Sequence, residues 1–226
     1  MTTAATVRLP IVILISGRGS NLDSIIGCAA SGALDVDVRA VISNRPDAAG
    51  LRIAQAAGIP AVVVDHTGYA DRTAFERELQ ARIDACGPGL VVLAGFMRLL
   101  TAGFVGHYHG RMLNIHPSLL PALPGLDTHR RALAAGLAEH GASVHFVTAE
   151  MDGGPVLLQA RVPVRKDDTP VTLADRVLEQ EHRMYPLAIQ WFASGRIFLD
   201  ENGHILFDGK CLTQPLDFAR ENPLPC

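Results

Sequence analysis

With 226 residues, the chain is long enough to bury a sizeable core as one domain, with room for a small appendage. Hydrophobic residues make up 48% of it and aromatic residues only 5%, a balance typical of an α/β enzyme rich in Ala, Val, Ile and Leu. The formal net charge of -3 provides no positive field for a polynucleotide backbone, so we expect no nucleic-acid partner.

The first half of the chain alternates short apolar runs with helical patterns. Strands are predicted at residues 11–15, 38–42, 61–64 and 90–94. Helices are predicted between them, at residues 21–30, 48–57 and 73–85. Strands separated by helices of this length pair in parallel through right-handed crossovers. We therefore expect an α/β fold with a doubly wound, mostly parallel β-sheet flanked by helices.

The second half of the chain is less regular and predicts a mixed sheet. Its predicted strands are residues 111–114, 143–148 and 156–164, with a helix at 128–136 and the last strand antiparallel. A capping signal at residues 172–175 predicts a long helix that ends near Ser194, before Gly195. Residues 197–207 predict a C-terminal hairpin. The polar, proline-rich last dozen residues predict a loosely held tail.

The cysteines and the N-terminal residues bear on the compartment. No CxxC pair or metal-finger spacing occurs among Cys28, Cys86, Cys211 and Cys226, which predicts no structural disulfide and fits a reducing environment. Residues 1–9 have no long apolar core, and no apolar run approaches the length that spans a membrane. We expect a soluble cytoplasmic protein with no membrane partner.

The loop after the first predicted strand, SGRGSN at residues 16–21, has the composition of an anion site. Two glycines permit a tight turn, and the following helix offers free N–H groups to a phosphate. A dinucleotide fold would have a third glycine at Leu22 and an acidic ribose ligand near Asn44. The loop therefore favours a monophosphate over NAD. The alternative is an ordinary glycine turn with a polar helix cap.

Two polar clusters that follow apolar runs point to catalysis. Asn114 and His116 lie two residues apart, so in an extended chain both side chains project to the same side. Asp152 precedes two glycines after the run at residues 144–147. These three side chains have the chemistry to hold an oxyanion, transfer a proton and set the charge of the imidazole. A structural histidine and a turn aspartate are the alternatives.

The chain resembles the glycinamide ribonucleotide formyltransferases, folate-dependent enzymes of purine biosynthesis. The resemblance covers residues 11–192 and depends on several motifs in one order. They are SGRGSN (16–21), LAGFMRLL (93–100), NIHPSLLP (114–121), EHGASVHFV (139–147), MDGGP (151–155) and EQEH (179–182). The resemblance implies a Rossmann-like catalytic domain at residues 1–196, followed by a hairpin and tail at residues 197–226.

The resemblance also implies a role for each matching residue. The ribonucleotide and its phosphate would be bound by Gly19, Ser20, Asn21, Leu178, Glu179, Gln180 and Glu181. The folate would be bound by Arg72, Met97, Arg98, Leu99, Leu100, Asn114, Thr148, Ala149, Glu150, Met151 and Asp152, with Arg72 and Arg98 toward its benzoyl-glutamate end. Asn114, His116 and Asp152 would be catalytic.

The implied reaction is direct formyl transfer from 10-formyltetrahydrofolate to the amine of glycinamide ribonucleotide, without a metal. Asn114 and a protonated His116 would stabilise the tetrahedral oxyanion, and Asp152 would favour the imidazolium by its negative charge. The implied partners are these small molecules, and the chain is expected to be a monomer or a homodimer.

Two departures and three alternative functions accompany the resemblance. A basic residue is common in the family where Ala122 stands, and a histidine where Asp127 stands. If Asp127 approaches Asp152, either a second carboxylate would act on His116 or Asp127 would itself be neutralised. The alternatives are a formyltetrahydrofolate deformylase, a methionyl-tRNA formyltransferase and a non-catalytic binding module. The first usually has an added N-terminal domain and the second a basic C-terminal one, neither of which this sequence predicts.

Overall fold

The computed structural model describes residues 8–226 and contains one large and one small β-sheet. The strands of the large sheet are β1 (Leu9–Ile15), β2 (Val36–Ser43), β3 (Ala61–Val63), β4 (Leu90–Leu93), β5 (Met112–His116), β6 (Glu139–Phe146), β7 (Val156–Pro163) and β11 (Leu216–Asp217). The small sheet comprises β8 (Ile197–Leu199), β9 (Ile205–Phe207) and β10 (Lys210–Cys211). The helices are α1 (Ser20–Ser31), α2 (Gly50–Ala56), α3 (Arg72–Asp84), α4 (Ala102–His107), α5 (Thr128–Ala134) and α6 (Pro170–Ala193).

The large sheet has the strand order β11-β7-β6-β5-β4-β1-β2-β3. Strands β1 to β5 pair in parallel, β6 is antiparallel to both β5 and β7, and β11 pairs with β7 in parallel. The antiparallel strand predicted at residues 156–164 is therefore confirmed. The doubly wound, mostly parallel sheet is also confirmed, and so is the hairpin, which is formed by β8 and β9.

Alternation along β1 shows how the sequence forms a sheet covered on both faces. Ile11, Ile13 and Ile15 join the core on the side of α1 and α6. Val12 and Leu14 join the opposite core, which α3 completes with Phe75, Leu79 and Ile83. A strand with apolar side chains on both faces is stable only between two helical layers. This arrangement buries the middle of the sheet and leaves the strand ends available for a site.

The long helix begins earlier than its predicted capping signal. Thr169 is the N-cap, and its hydroxyl accepts a hydrogen bond from the backbone N–H of Thr172. The Thr172 hydroxyl in turn accepts one from the backbone N–H of Thr169, and Pro170 occupies the first turn. The two threonines form a capping box in which Thr172 takes the place of the usual Glu or Gln. Because the helix begins at Pro170, residues 172–175 lie inside α6.

The expectations of a loose tail and of no structural disulfide are both wrong. Cys226 is disulfide-bonded to Cys28 on α1. Strand β11 pairs with β7, and Phe218 is buried beneath the Arg183 guanidinium. The two cysteines are 198 residues apart, so no local spacing could have revealed their pairing. Cys86 and Cys211 are free.

Removing the disulfide is expected to destabilise the protein. We expect Cys226→Ser to lower the free energy of unfolding by about 2–4 kcal/mol, because the cross-link restricts the unfolded chain. In a chain of this size, that corresponds to a fall of roughly 5–15 °C in Tm. Calorimetry without reductant measures the change in Tm. The control is Cys211→Ser, which replaces an exposed free thiol and is expected to leave Tm unchanged. Four alkylatable thiols in the unreduced wild type would contradict the pairing.

No helix of residues 8–226 has the length and apolarity to cross a membrane. The sequence also predicts that residues 1–9 carry no leader. Of these, residues 1–7 lie outside the described residues.

Candidate active site

A cavity of about 610 Å³ opens at the carboxyl ends of β4 and β5. Parallel strands of α/β sheets bind ligands at this end. The sequence-predicted residues that line it are Met97, Arg98, Leu99, Leu100, Asn114, His116, Thr148, Ala149, Glu150, Met151 and Asp152. Arg72 is exposed at the start of α3 and is not part of this lining.

The mouth of the cavity has an exposed apolar surface. Met97, Leu99, Leu126 and Met151 are each more than half exposed. Large apolar side chains grouped at an opening indicate a surface that a ligand covers. The lining therefore suits a ligand that has an extended apolar surface.

The register of β5 and β6 places the polar side chains of the site in rows. Asn114 is directly opposite His145, and His116 is directly opposite Ser143. Residues paired across antiparallel strands share a face of the sheet, and so do residues two apart on one strand. All four side chains therefore lie on the same face.

His145 fixes the orientation of the Asn114 amide. The Nδ1 atom of His145 lies 2.9 Å from the carbonyl oxygen of Phe146, so Nδ1 carries the proton and Nε2 is an acceptor. The amide nitrogen of Asn114 lies 3.0 Å from that Nε2 and donates to it. Burial lowers the pKa of His145, which keeps the ring neutral. The second N–H of Asn114 remains available to a ligand.

His116 has oxygen atoms facing both ring nitrogens. Its Nε2 atom donates to the carbonyl oxygen of Leu123 at 3.1 Å, and its Nδ1 atom lies 3.5 Å from Oδ2 of Asp152. An imidazole with acceptors on both sides donates from both nitrogens only as the imidazolium. Asp152 is itself held by the backbone N–H of Gly125, which donates to Oδ2 at 2.8 Å. The imidazole, which lines the cavity, therefore lies between a backbone carbonyl oxygen and a carboxylate.

A neutral histidine pair lies beyond His116. The rings of His129 and His140 meet edge to face, with centroids 5.1 Å apart. Burial lowers the pKa of both, that of His140 to about 4. His129 also lines the cavity. The pair is therefore uncharged near neutral pH and adds no positive charge beside His116.

The predicted phosphate loop contacts the long helix. Gly19 has φ +81°, and a Cβ atom there would lie 2.7 Å from the Cα of Gly50. The Asn21 amide donates to the Glu181 carboxylate at 2.7 Å, and burial raises the pKa of that carboxyl group. Among residues 8–226, the buried Oδ1 of Asn21 has no hydrogen-bond partner. An unpaired buried acceptor fits a site completed by a ligand group that donates a hydrogen bond, such as a hydroxyl or an amine, and not by the phosphate itself.

The remaining sequence-predicted residues of this site lie next to that contact. Ser20 is the first residue of α1. Leu178, Glu179 and Gln180 form the turn of α6 before Glu181, and Glu179 is exposed. Leu22, where a dinucleotide site would have glycine, is fully buried in the core.

Asp127 lines the cavity, but the structure pairs its carboxylate with Arg130 and not with His116. Its side chain is 62% exposed and accepts a hydrogen bond from Arg130 at 2.6 Å. Its φ of +58° at the N-cap of α5 turns it toward this helix. Ala122, the other departure, is exposed and forms part of the loop above the site. Neither departure alters the contacts of Asn114, His116 or Asp152.

Three contributors to the site were not identified from sequence: His145, Ser143 and the carbonyl group of Leu123. The first two are polar residues in a strand that is buried after its first residue, Glu139, and that was the signal available for them. Their roles become visible only when the antiparallel register of β6 is known. The Leu123 carbonyl carries no sequence signal because every residue has one.

Comparison with known proteins identifies the family. The family model described as formyl transferase matches residues 9–189. The phosphoribosylglycinamide formyltransferase of Escherichia coli K12 is 54% identical over 202 residues, 89% of this chain and 95% of its own length. The human trifunctional purine biosynthetic protein adenosine-3 is 43% identical over 86% of this chain and 19% of its own length. The chain belongs to the formyl transferase family.

The chain is also similar to solved structures. It is similar to the phosphoribosylglycinamide formyltransferase of Coxiella burnetii, with TM-score 0.89 and 53% identity over 93% of this chain and 99% of that one. A formyltetrahydrofolate deformylase from Pseudomonas putida KT2440 has TM-score 0.80 and 28% identity, over 91% of this chain and 72% of that one. The family resemblance drawn from the motifs is confirmed.

Proposed function

We propose that the chain transfers the formyl group of 10-formyltetrahydrofolate to the amine of glycinamide ribonucleotide. The products are formylglycinamide ribonucleotide and tetrahydrofolate, in a step of purine biosynthesis. The observation that carries this proposal is the contact of His116 with Asp152 beside Asn114 in the cavity at the strand ends. The 54% identity to a phosphoribosylglycinamide formyltransferase supports transfer to the ribonucleotide.

Binding of the two substrates divides between neighbouring parts of the strand-end surface. Gly19, Ser20 and Asn21 bind the phosphate through backbone N–H groups and the Asn21 amide, and Glu181 with residues 178–180 binds the ribonucleotide. Residues 97–100 and 148–152 enclose the pterin, whose flat ring suits the apolar lining of the cavity. Arg98 at this lining attracts the carboxylates of the glutamate end.

The reaction forms a bond between the amine nitrogen and the formyl carbon and breaks the bond from that carbon to N10. The amine loses one proton overall and N10 gains one. In the tetrahedral intermediate, the free N–H of Asn114 and the Nδ1–H of His116 donate to the oxyanion, because Nδ1 makes no hydrogen bond to Asp152 at 3.5 Å whereas Nε2 is bonded to Leu123. The Asp152 carboxylate, whose Oδ2 atom lies 3.5 Å from Nδ1, stabilises the positive charge of the ring. The mechanism invokes no metal, and residues 8–226 contain no cluster of three or more His, Cys, Asp or Glu side chains that could hold one.

Several further assignments accompany this function. We assign catalysis to residues 1–196, and to residues 197–226 the stabilisation of the sheet edge through β11. The cytoplasm remains our proposed compartment because the substrates of purine biosynthesis are found there. The cysteines no longer support it, since Cys28 and Cys226 are paired. The expectation of a monomer or homodimer stays a prediction.

A substrate-omission assay tests the function. We expect purified protein to consume 10-formyltetrahydrofolate only when glycinamide ribonucleotide is present, with one formylated ribonucleotide formed per folate consumed. Absorbance follows the formation of tetrahydrofolate, and mass spectrometry follows the formation of the formylated ribonucleotide. Equal consumption without the ribonucleotide would mean that water is the acceptor and that the protein is a deformylase. Folate binding without turnover in either condition would leave the binding-module alternative.

A further inference from the structure

Gln159 lies in line with His116 across three adjacent strands. The register pairs His116 on β5 with Ser143 on β6, and Ser143 with Gln159 on β7. Paired residues share a face of the sheet, so the three side chains form one row on the face that carries the site. Gln159 is not part of the cavity lining, and it belongs to none of the motifs described above.

Gln159 and Ser143 hold one short loop segment through buried hydrogen bonds. The amide nitrogen of Gln159 donates to the Leu120 carbonyl oxygen at 2.8 Å and to the Ser143 hydroxyl at 3.0 Å. That hydroxyl accepts from the backbone N–H of Leu120 at 3.0 Å and donates to the Ser118 carbonyl oxygen at 2.7 Å. Ser118 and Ser143 are fully buried and Gln159 is 8% exposed. Buried bonds of this kind fix backbone geometry, because water does not replace them.

The loop held in this way provides a backbone partner to each member of the His116–Asp152 pair. Three residues beyond Leu120, the Leu123 carbonyl oxygen accepts from His116. Two residues further, the Gly125 N–H donates to Asp152. The Ser118 hydroxyl also donates to the Ala122 carbonyl oxygen at 2.7 Å, which closes the loop on itself. The position of residues 118–125 therefore sets the position of both side chains.

We propose that Gln159 is a positioning residue for formyl transfer, acting on His116 and Asp152 through the loop at residues 118–125. The inference rests on the proposed function of these two side chains. Glutamine suits the position because one amide nitrogen supplies both N–H donors, to Leu120 and to Ser143. An apolar side chain of equal length would leave the Leu120 carbonyl without this donor.

The test compares Gln159→Met with a control of similar structural cost. Methionine keeps the length and removes both donors. We expect kcat to fall about tenfold or more while KM for each substrate stays within about threefold. Gln159→Asn, which keeps the amide on a shorter side chain, is expected to lose less. The control is Tyr108→Phe, which removes a hydroxyl bond to Asp84 (2.9 Å) outside the cavity and is expected to keep its kcat.

A second measurement separates this inference from the proposed function. Imidazole ¹⁵N spectra, with His116 assigned from the signal missing in His116→Ala, report the hydrogen bonds of that ring whether or not the protein turns over. We expect the His116 signals to move in Gln159→Met and to stay in Tyr108→Phe. Unchanged His116 signals and unchanged kcat in folded Gln159→Met, or in Gln159→Asn if methionine prevents folding, would overturn the inference. Absence of transfer by the wild type would instead refute the proposed function.

Discussion

Replacing His116 with alanine is expected to lower kcat for formyl transfer by about a thousandfold, with KM for both substrates changed only a few-fold. The substitution removes one oxyanion donor, and such a loss typically costs about a hundred- to a thousandfold in rate. Asn114 keeps its own partner, His145, so part of the oxyanion stabilisation survives. Loss of the ring also leaves the Gly125 N–H as the one close hydrogen-bond donor to Asp152 among residues 8–226. Steady-state kinetics with each substrate varied in turn measure the effect.

A matched histidine gives the control for this prediction. His109 is exposed, lies after α4 and takes no part in the cavity, so His109→Ala is expected to retain wild-type kcat. Thermal unfolding of both variants verifies that they are folded. A kcat for His116→Ala within tenfold of wild type would show that the imidazole is not the principal donor in the transition state.

Gly154→Ala is expected to abolish most of the activity by moving Asp152. A Cβ atom at this position would lie 1.9 Å from the Phe146 carbonyl oxygen, far inside van der Waals contact. The backbone of β6 cannot recede, because the Phe146 N–H is bonded to Pro155 across the same turn. The segment that contains Asp152 must therefore shift away from His116. We expect kcat to fall a hundredfold or more, and stability to fall by roughly 1–3 kcal/mol, as for other overpacked sites.

The control for this substitution is a glycine with free space around it. Gly106 lies in α4, and a Cβ there would meet no atom within 4 Å. Gly106→Ala is therefore expected to keep full activity and to be as stable as wild type or slightly more so. Wild-type kcat in Gly154→Ala would mean that the loop can relax without disturbing the contact between Asp152 and His116.

The local patterns in the first half of the sequence were sufficient to predict its fold. Each of β1 to β4 is a short apolar run, and each intervening helix has a face that the sheet buries. Local pattern also predicted that the side chains of Asn114 and His116 point the same way, because residues two apart on a strand share a face. The cluster that follows residues 144–147 also singled out Asp152 as a candidate partner, and the family resemblance implied that it is catalytic. Its contact with His116 agrees with that implication.

The rest of the site depends on pairings between distant segments. Gln159 reaches Leu120 across 39 positions of the chain, and Cys28 reaches Cys226 across 198. No periodicity encodes such contacts, because strand register and tail packing are set by the whole fold. Asp127 shows the opposite case. Its type suggested an effect on His116, but the left-handed backbone at the start of α5 and the nearby Arg130 direct it elsewhere.

Strand β11 also bears on aggregation, because it covers one edge of the large sheet. It pairs with β7 at only two positions, Leu216 with Leu158 and Asp217 with Gln159. Even so short a strand occupies backbone groups that would otherwise recruit an extended segment of another molecule. A chain truncated before Leu216 would expose that edge beside the row that leads to His116. Such a truncation would therefore promote edge-to-edge aggregation, starting from the same strand that carries Gln159.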